Sequence, residues 1–240
     1  MKNTLLSFLL LSSTFIVAQN GVLNDAILDS LATRVNETGG VFQKSLELEK
    51  ALNLLAVNDS PKELLTERLD PSKFNKRMFL NIDAYEARRV TYQGDWDKVN
   101  RYNESKNPYV LFYVGNIAFQ NGEESESIRI LKMVSKAFMA LNDSFYTSST
   151  LNNLGALMWH QNKEDSALHY FLNSKEYTYW FNPMLESNIL AISNIIEDSA
   201  LSASQIKIIK TEQPEIDNPV FYNNAHQHYV KFDSAKADSL

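Results

Sequence analysis

All six prolines of this 240-residue chain stand where a helix can begin: Pro61, Pro71, Pro108, Pro183, Pro214 and Pro219. Inside a helix, proline removes a backbone donor and clashes with the preceding turn; in the first turn that donor has no helical partner to lose. Glycine punctuates in the same way. Gly39-Gly40, Gly94 and Gly122 fall between stretches whose apolar residues recur at threes and fours. No Asn-Gly or Asp-Gly separates two alternating apolar runs, so no hairpin is signalled. The pattern predicts an all-α chain with helices over 22–36, 41–57, 61–68, 72–92, 95–105, 108–120, 123–141, 144–160, 164–179, 183–197, 201–212 and 219–231. Helix 123–141 shows the period plainly. Ile128, Leu131, Val134, Phe138 and Leu141 form one face, and Glu123, Glu124 and Glu126 lie in the first turn, where the helix dipole favours negative charge.

A hydrophobic fraction of 44% against 22% charged residues is enough to bury a core. The net charge of -6 argues against nucleic acid as a partner, because displacing counterions from phosphates needs a basic patch. With no cysteine, the chain has no disulfide, no thiol chemistry and no cysteine-bound zinc or lipid.

The first residues read as an export signal. Lys2 supplies the positive start, Leu5 to Val17 are apolar or small, and Ala18 precedes polar Gln19-Asn20-Gly21. Cleavage is expected after Ala18. The apolar stretch is shorter than the roughly 20 residues of a spanning helix, and no later window is apolar enough to span. The Ala-Gln ending resembles signals of Bacteroidota-type bacteria, which implies a periplasmic or extracellular protein. Three segments are expected: the signal over 1–18, a less regular helical part over 19–70, and helical repeats over 71–240.

The repeats show in two stretches. Leu151, Leu154-Gly155 and Met158 are followed by Ala167 and Phe171; Leu111, Val114-Gly115 and Ala118 are followed by Ser127 and Leu131. In both, a small residue lies twelve beyond the glycine and a large apolar one four further on. This resembles the tetratricopeptide pattern, and it implies an α-solenoid of antiparallel helix pairs. A glycine on the first helix of each pair lets the second helix approach, and the small residue receives it. The departures are a missing Trp, a 40-residue step from Gly115 to Gly155, and Ser127 in place of Ala. Asp165-Ser166-Ala167 returns as Asp198-Ser199-Ala200 and Asp233-Ser234-Ala235, at intervals of 33 and 35 residues, and each triplet is expected to open a second helix by capping it. A rival register aligns Ala191 and Ala203 but puts Lys207 where a large apolar residue belongs. The last pair would end only seven residues after Asp233, which suggests either a short cap over Tyr229 and Phe232 or the front of a longer array.

No constellation for catalysis emerges. His226 and His228, two residues apart, fall on different helix faces, and His160 and His169 flank a turn. No nucleophile elbow, phosphate loop or metal-binding His pair occurs, so no enzyme activity, cofactor or metal is expected. In tetratricopeptide arrays the first helices of successive pairs line a groove that holds a partner. Carried over from Gly115 and Gly155, the groove positions are Tyr109, Phe112, Asn116 and Phe119, then Asn152, Asn153, Ala156, Trp159 and His160. Rings supply contact area and amides pair with a backbone. Asn116 and Asn153 match two amides of the chaperone-type carboxylate clamp, whose basic residues are missing. The expected function is a non-enzymatic exported scaffold that binds a protein or peptide. The alternatives are the sensor part of a longer membrane regulator and an accessory of glycan uptake.

Overall fold

The computed structural model describes residues 23–178, 181–213 and 219–233. Those residues are helical with no strand among them, and they form two compact units that meet in sequence at Asp143 and Ser144. The leader 1–18 and residues 234–240, with the end of the third Asp-Ser-Ala triplet, lie outside the described residues. No described helix is long and apolar enough to cross a membrane.

The first unit contains α1 (Asp25–Glu37), α2 (Val41–Val57), α3 (Glu63–Thr66), α4 (Lys76–Asp83), α5 (Tyr85–Tyr92), α6 (Trp96–Val99), α7 (Pro108–Gln120) and α8 (Glu124–Ala140). The sequence predicts one helix over 72–92; the structure divides it into a 3-10 turn at Pro71–Lys73, then α4 and α5. The joint is Ala84, where ψ rises to -1°. Past that joint Tyr85 enters the core and its hydroxyl donates to the Ser60 carbonyl. The helix predicted over 61–68 contracts to one turn, and that over 95–105 to α6 and a 3-10 turn. A single apolar core joins Leu28, Val35, Leu48, Leu52, Leu65, Leu69, Met78 and Tyr85, so α1 to α5 pack as one body across residue 70.

The second unit contains α9 (Ser144–His160), α10 (Glu164–Glu176), α11 (Pro183–Ile195), α12 (Ser199–Glu212) and α13 (Pro219–Phe232). Pro108, Pro183 and Pro219 each open their helix. Asn107 and Asn182 stand just before two of them and accept from Tyr109 N–H and Leu185 N–H, which satisfies donors the helix leaves open.

One turn recurs through the chain. At Gly122 (φ +81°) the backbone goes left-handed, Gly122 N–H donates to the Phe119 carbonyl at 3.0 Å, and Glu123 N–H donates to Ala118 at 2.8 Å. Asp59, Gly94, Asn142 and Asn162 repeat this double closure, with Asp59 (φ +50°), Asn142 (φ +52°) and Asn162 (φ +54°) in the position glycine prefers. It is the Schellman motif, which ends a helix and sends the chain back within three residues. Repeated, it makes consecutive helices antiparallel neighbours, and α7 packs on α8, α9 on α10 and α11 on α12.

The glycines act where the sequence places them, with one difference. A Cβ on Gly115 would lie 3.0–3.1 Å from Leu131 and Ile130; one on Gly155 would lie 2.6 Å from the Phe171 ring. The residue nearest each glycine is therefore the large one sixteen positions on, while Ser127 and Ala167 are sealed beside it. The third pair keeps this spacing without glycine. Leu190 and Ile206, sixteen apart, share one core with Ile209, Phe221 and Ala225, and Ser202 is the buried small residue. The alignment on Ala191 and Ala203 is thus displaced by one residue, and Ala203 is exposed. The Asp-Ser-Ala triplets are not equivalent to one another. Asp198 precedes α12 and caps Leu201 N–H, whereas Asp165 lies inside the first turn of α10, so Ala167 is core and Ala200 is exposed.

Candidate functional site

The expected groove residues divide between the units, four on α7 and five on α9, and each set is built differently. On α7, Tyr109 is buried. Its ring meets Phe138 edge-on at 5.0 Å, and its hydroxyl donates to Asp143 Oδ2 at 2.5 Å. Burial, reinforced by the negative Asp143 it donates to, holds that phenol far above its ordinary pKa, so it stays protonated. Arg77 donates to the Asn142 carbonyl beside this pair and to Ser45 Oγ at 3.2 Å, joining α4 to α2 and to the end of α8. Phe112 is half-buried and stacks edge-on against Tyr113 and Phe138. Asn116 and Phe119 are buried. Tyr109 and Phe112 thus converge on Phe138 and behave as packing for α8.

On α9, Asn152, Asn153 and Ala156 are buried, and Trp159 and His160 are half-buried at the end of the helix. Asn152 Oδ1 accepts from Asn188 Nδ2 at 3.0 Å, a tie from α9 to α11. The polar contacts continue outward. Asn194 Nδ2 donates to the Asn224 carbonyl at 2.8 Å, Asn224 Nδ2 donates to the Ser187 carbonyl at 3.3 Å, and Ser202 Oγ donates to Asn194 Oδ1 at 2.8 Å. Ser202 Oγ also meets His228 Nδ1, and Lys231 Nζ donates to the Asn194 carbonyl at 3.0 Å. His228 is buried and His226 exposed, so residues two apart do fall on opposite faces. Among the described residues no three His, Asp or Glu side chains gather as metal ligands would.

Asn188, Asn194, Asn224 and Ser202 are missing from the expected set. A signal for two of them stands in the sequence: asparagine recurs at 116, 152, 188 and 224, every 36 residues. It is easily passed over because the helix pairs step by 40 and then 35 residues, from Gly115 to Gly155 to Leu190. The four asparagines therefore hold different places in their helices.

The first unit carries its own buried polar centre. Arg88 is fully buried; Nη2 donates to Glu49 Oε2 at 2.8 Å and to Asn81 Oδ1 at 2.6 Å, and the guanidinium lies 5.6 Å from the Tyr113 ring centroid. Asn81 Nδ2 donates to the same oxygen, Glu49 Oε2, at 2.9 Å, and Asn53 Nδ2 donates to Glu49 Oε1 at 3.0 Å. Every oxygen of Glu49 is thereby engaged, which suits a structural brace joining α2, α4 and α5.

No protein family matches this sequence, and neither does any curated protein or solved structure.

Proposed function

We propose that this chain is an exported interaction scaffold without chemistry of its own, holding a segment of a partner protein along the first helices of tetratricopeptide-like pairs. The observation that carries this reading is the recurrence of one contact: Gly115 and Gly155 each face the large residue sixteen positions on. Helix pairs built to a common plan present a common face, and such faces are the usual binding surfaces of repeat proteins. The half-buried Trp159 and His160 at the end of α9 are the proposed anchor, since an aromatic side chain that is partly open to solvent gains most from being covered. The export reading rests on the leader composition from Lys2 to Ala18.

The test is a cross-linking pull-down from the envelope of the native host, with the parent chain and a Trp159→Ala variant as baits. A protein enriched by the parent and reduced about tenfold or more by a variant of equal helicity supports the reading, the loss expected at a central aromatic anchor. Equal enrichment by both baits removes Trp159 from the site, and no enrichment by either overturns the scaffold.

A further inference from the structure

Asn121 and Gly122 close α7, and among the described residues they are the one place where glycine follows asparagine. Asn121 is the last right-handed residue of the helix (φ -78°, ψ 0°). It is exposed, and among the described residues no hydrogen bond holds its side-chain amide. Gly122 is exposed as well and has no side chain to screen its nitrogen. The other turn asparagines differ. Asn58 ends α2 in the same position, but its Nδ2 donates to the Leu54 carbonyl at 2.8 Å and Asp59 follows it. Asn142 and Asn162 are themselves left-handed, and Asp143 and Lys163 follow them.

The side-chain carbonyl carbon of an asparagine is an electrophile beside the backbone nitrogen of the next residue. At Asn121 the Gly122 nitrogen gives up its proton and bonds to Cγ. The Cγ–Nδ2 bond breaks, and Nδ2 leaves as ammonia with that proton. Water then adds to either carbonyl of the five-membered imide and opens it to aspartate or to isoaspartate. Nothing is oxidised or reduced, and water is the only co-reactant.

The fold restrains this reaction. Closing the ring needs Asn121 to turn about its Cα–C bond until the Gly122 nitrogen eclipses Cβ, far from the observed ψ of 0°. Gly122 N–H is also committed to the Phe119 carbonyl at 3.0 Å, and Glu123 N–H fixes the following peptide on Ala118 at 2.8 Å. Attack therefore waits for local opening of the turn. The products do not restore it. Isoaspartate lengthens the main chain by one methylene, which carries Gly122 N–H and Glu123 N–H off their acceptors. Either product puts a carboxylate at the C-terminal end of α7, where the helix dipole favours positive charge, and beside Glu123 and Glu124.

We propose that Asn121 is a self-modification site, converted without an enzyme to aspartate and isoaspartate at a rate set by opening of the turn between α7 and α8. Conversion loosens that turn irreversibly. The inference stands apart from the scaffold reading, since it needs no partner.

The test ages the full chain in mildly alkaline buffer and follows each asparagine by peptide mapping, with electron-transfer fragmentation to tell isoaspartate from aspartate. Asn121 is expected to convert faster than Asn58, Asn142 or Asn162. Unfolding in urea should speed it about tenfold or more, because the two closing hydrogen bonds are then gone. Glu123→Pro deletes one of those bonds and should speed it about fivefold in the folded chain. Asn121→Gln keeps an amide but would have to close a larger ring, so it should stay unconverted. Hydrogen exchange at Glu123 N–H should then quicken in the aged parent and not in aged Asn121→Gln. Conversion of Asn121 no faster than that of Asn58 overturns the site. Equal rates in folded and unfolded chain, or no acceleration by Glu123→Pro at unchanged helicity, overturn the gating. Loss of Glu123 protection on the same schedule in the parent and in Asn121→Gln overturns the loosening.

Discussion

The two units solve the same problem, holding stacked helices in register, with different chemistry. The unit ending at Asp143 is braced by a charge: Arg88 and Glu49 are both buried, and Asn81 and Asn53 supply further hydrogen bonds to the carboxylate. In the unit beginning at Ser144 the ties among α9, α11, α12 and α13 are mainly neutral, through Asn152, Asn188, Asn194, Asn224 and Ser202, and the one buried carboxylate that is ion-paired among the described residues there, Glu186, meets a half-exposed Lys175 at 2.7 Å. A charged brace is fixed in geometry and intolerant of losing either half, because the survivor is left ionised in a poor solvent. A neutral brace loses one modest bond at a time. The difference teaches where each unit should be brittle.

The largest expected effect follows from that contrast. Glu49→Ala leaves Arg88 buried beside Asn81 and Tyr113 without its counter-charge and should cost about 3–5 kcal/mol, whereas Asn188→Ala should cost about 1 kcal/mol. Hydrogen exchange resolved by segment would read each loss in its own unit, over 41–92 and over 144–195 respectively. Equal losses would break the comparison. Replacing both partners at once, Glu49→Met with Arg88→Met, should recover part of the stability, since the two charges go together while the Asn81 and Asn53 amides lose the carboxylate they donated to.

The next effect concerns the glycines, and here the second unit is the brittle one. Gly155→Ala would place a methyl 2.6 Å from the Phe171 ring, closer than carbon atoms approach, and the ring is sealed in the core with little room to withdraw. Overpacking of this kind costs about 1–3 kcal/mol, more than the roughly 1 kcal/mol that alanine gains in helix propensity. A net loss in the thermal unfolding of α9–α10 is expected, and Phe171→Leu added to Gly155→Ala should restore part of it. A Gly155→Ala variant as stable as the parent would mean that the helices separate freely and that the glycine is incidental.

How much of this was legible follows the physics of each signal. Helix ends were, because proline, asparagine caps and left-handed turn residues act locally: 41–57, 108–120 and 144–160 stand where the pattern predicts them. The break at Ala84 was not: beyond it Tyr85 meets Ser60 and Arg88 meets Glu49, 25 and 39 residues away, and no local propensity records such contacts. The glycine-to-large contact was legible as a spacing, but the third pair hid it, since Leu190 fills the place of glycine and only Ser202 and Ile206 preserve the pattern. The Asp-Ser-Ala triplets misled because a cap and a first-turn acid use the same residues for different bonds. For the groove, residue type was a poor guide to exposure. Tyr109 looks like a recognition aromatic, yet its hydroxyl is committed to Asp143.

A smaller effect should come from Ser127, which holds in the first unit the place Ala167 holds in the second. Its hydroxyl is buried with no hydrogen-bond partner. Ser127→Ala removes that unsatisfied group without opening a cavity larger than one oxygen, so it should stabilise α7–α8 by about 1 kcal/mol, read as a raised urea midpoint at unchanged slope. A lowered midpoint would show that the hydroxyl is engaged in solution.

The smallest effect sharpens the comparison most. Gly115→Ala is the same substitution as Gly155→Ala at the same place in a helix pair, but the neighbours are the Leu131 and Ile130 side chains at 3.0–3.1 Å. Leu131 Cδ2 and Cγ and Ile130 Cγ2 lie at 3.0–3.1 Å and need give only a few tenths of an ångström, whereas the Phe171 ring at 2.6 Å must move as a whole. The strain should therefore nearly cancel the propensity gain, leaving a net change within about 1 kcal/mol of zero. If both alanines cost the same, spacing is set by the backbone alone and the facing residue is irrelevant. If Gly115→Ala is the cheaper, as expected, the facing side chain decides how close a pair can come.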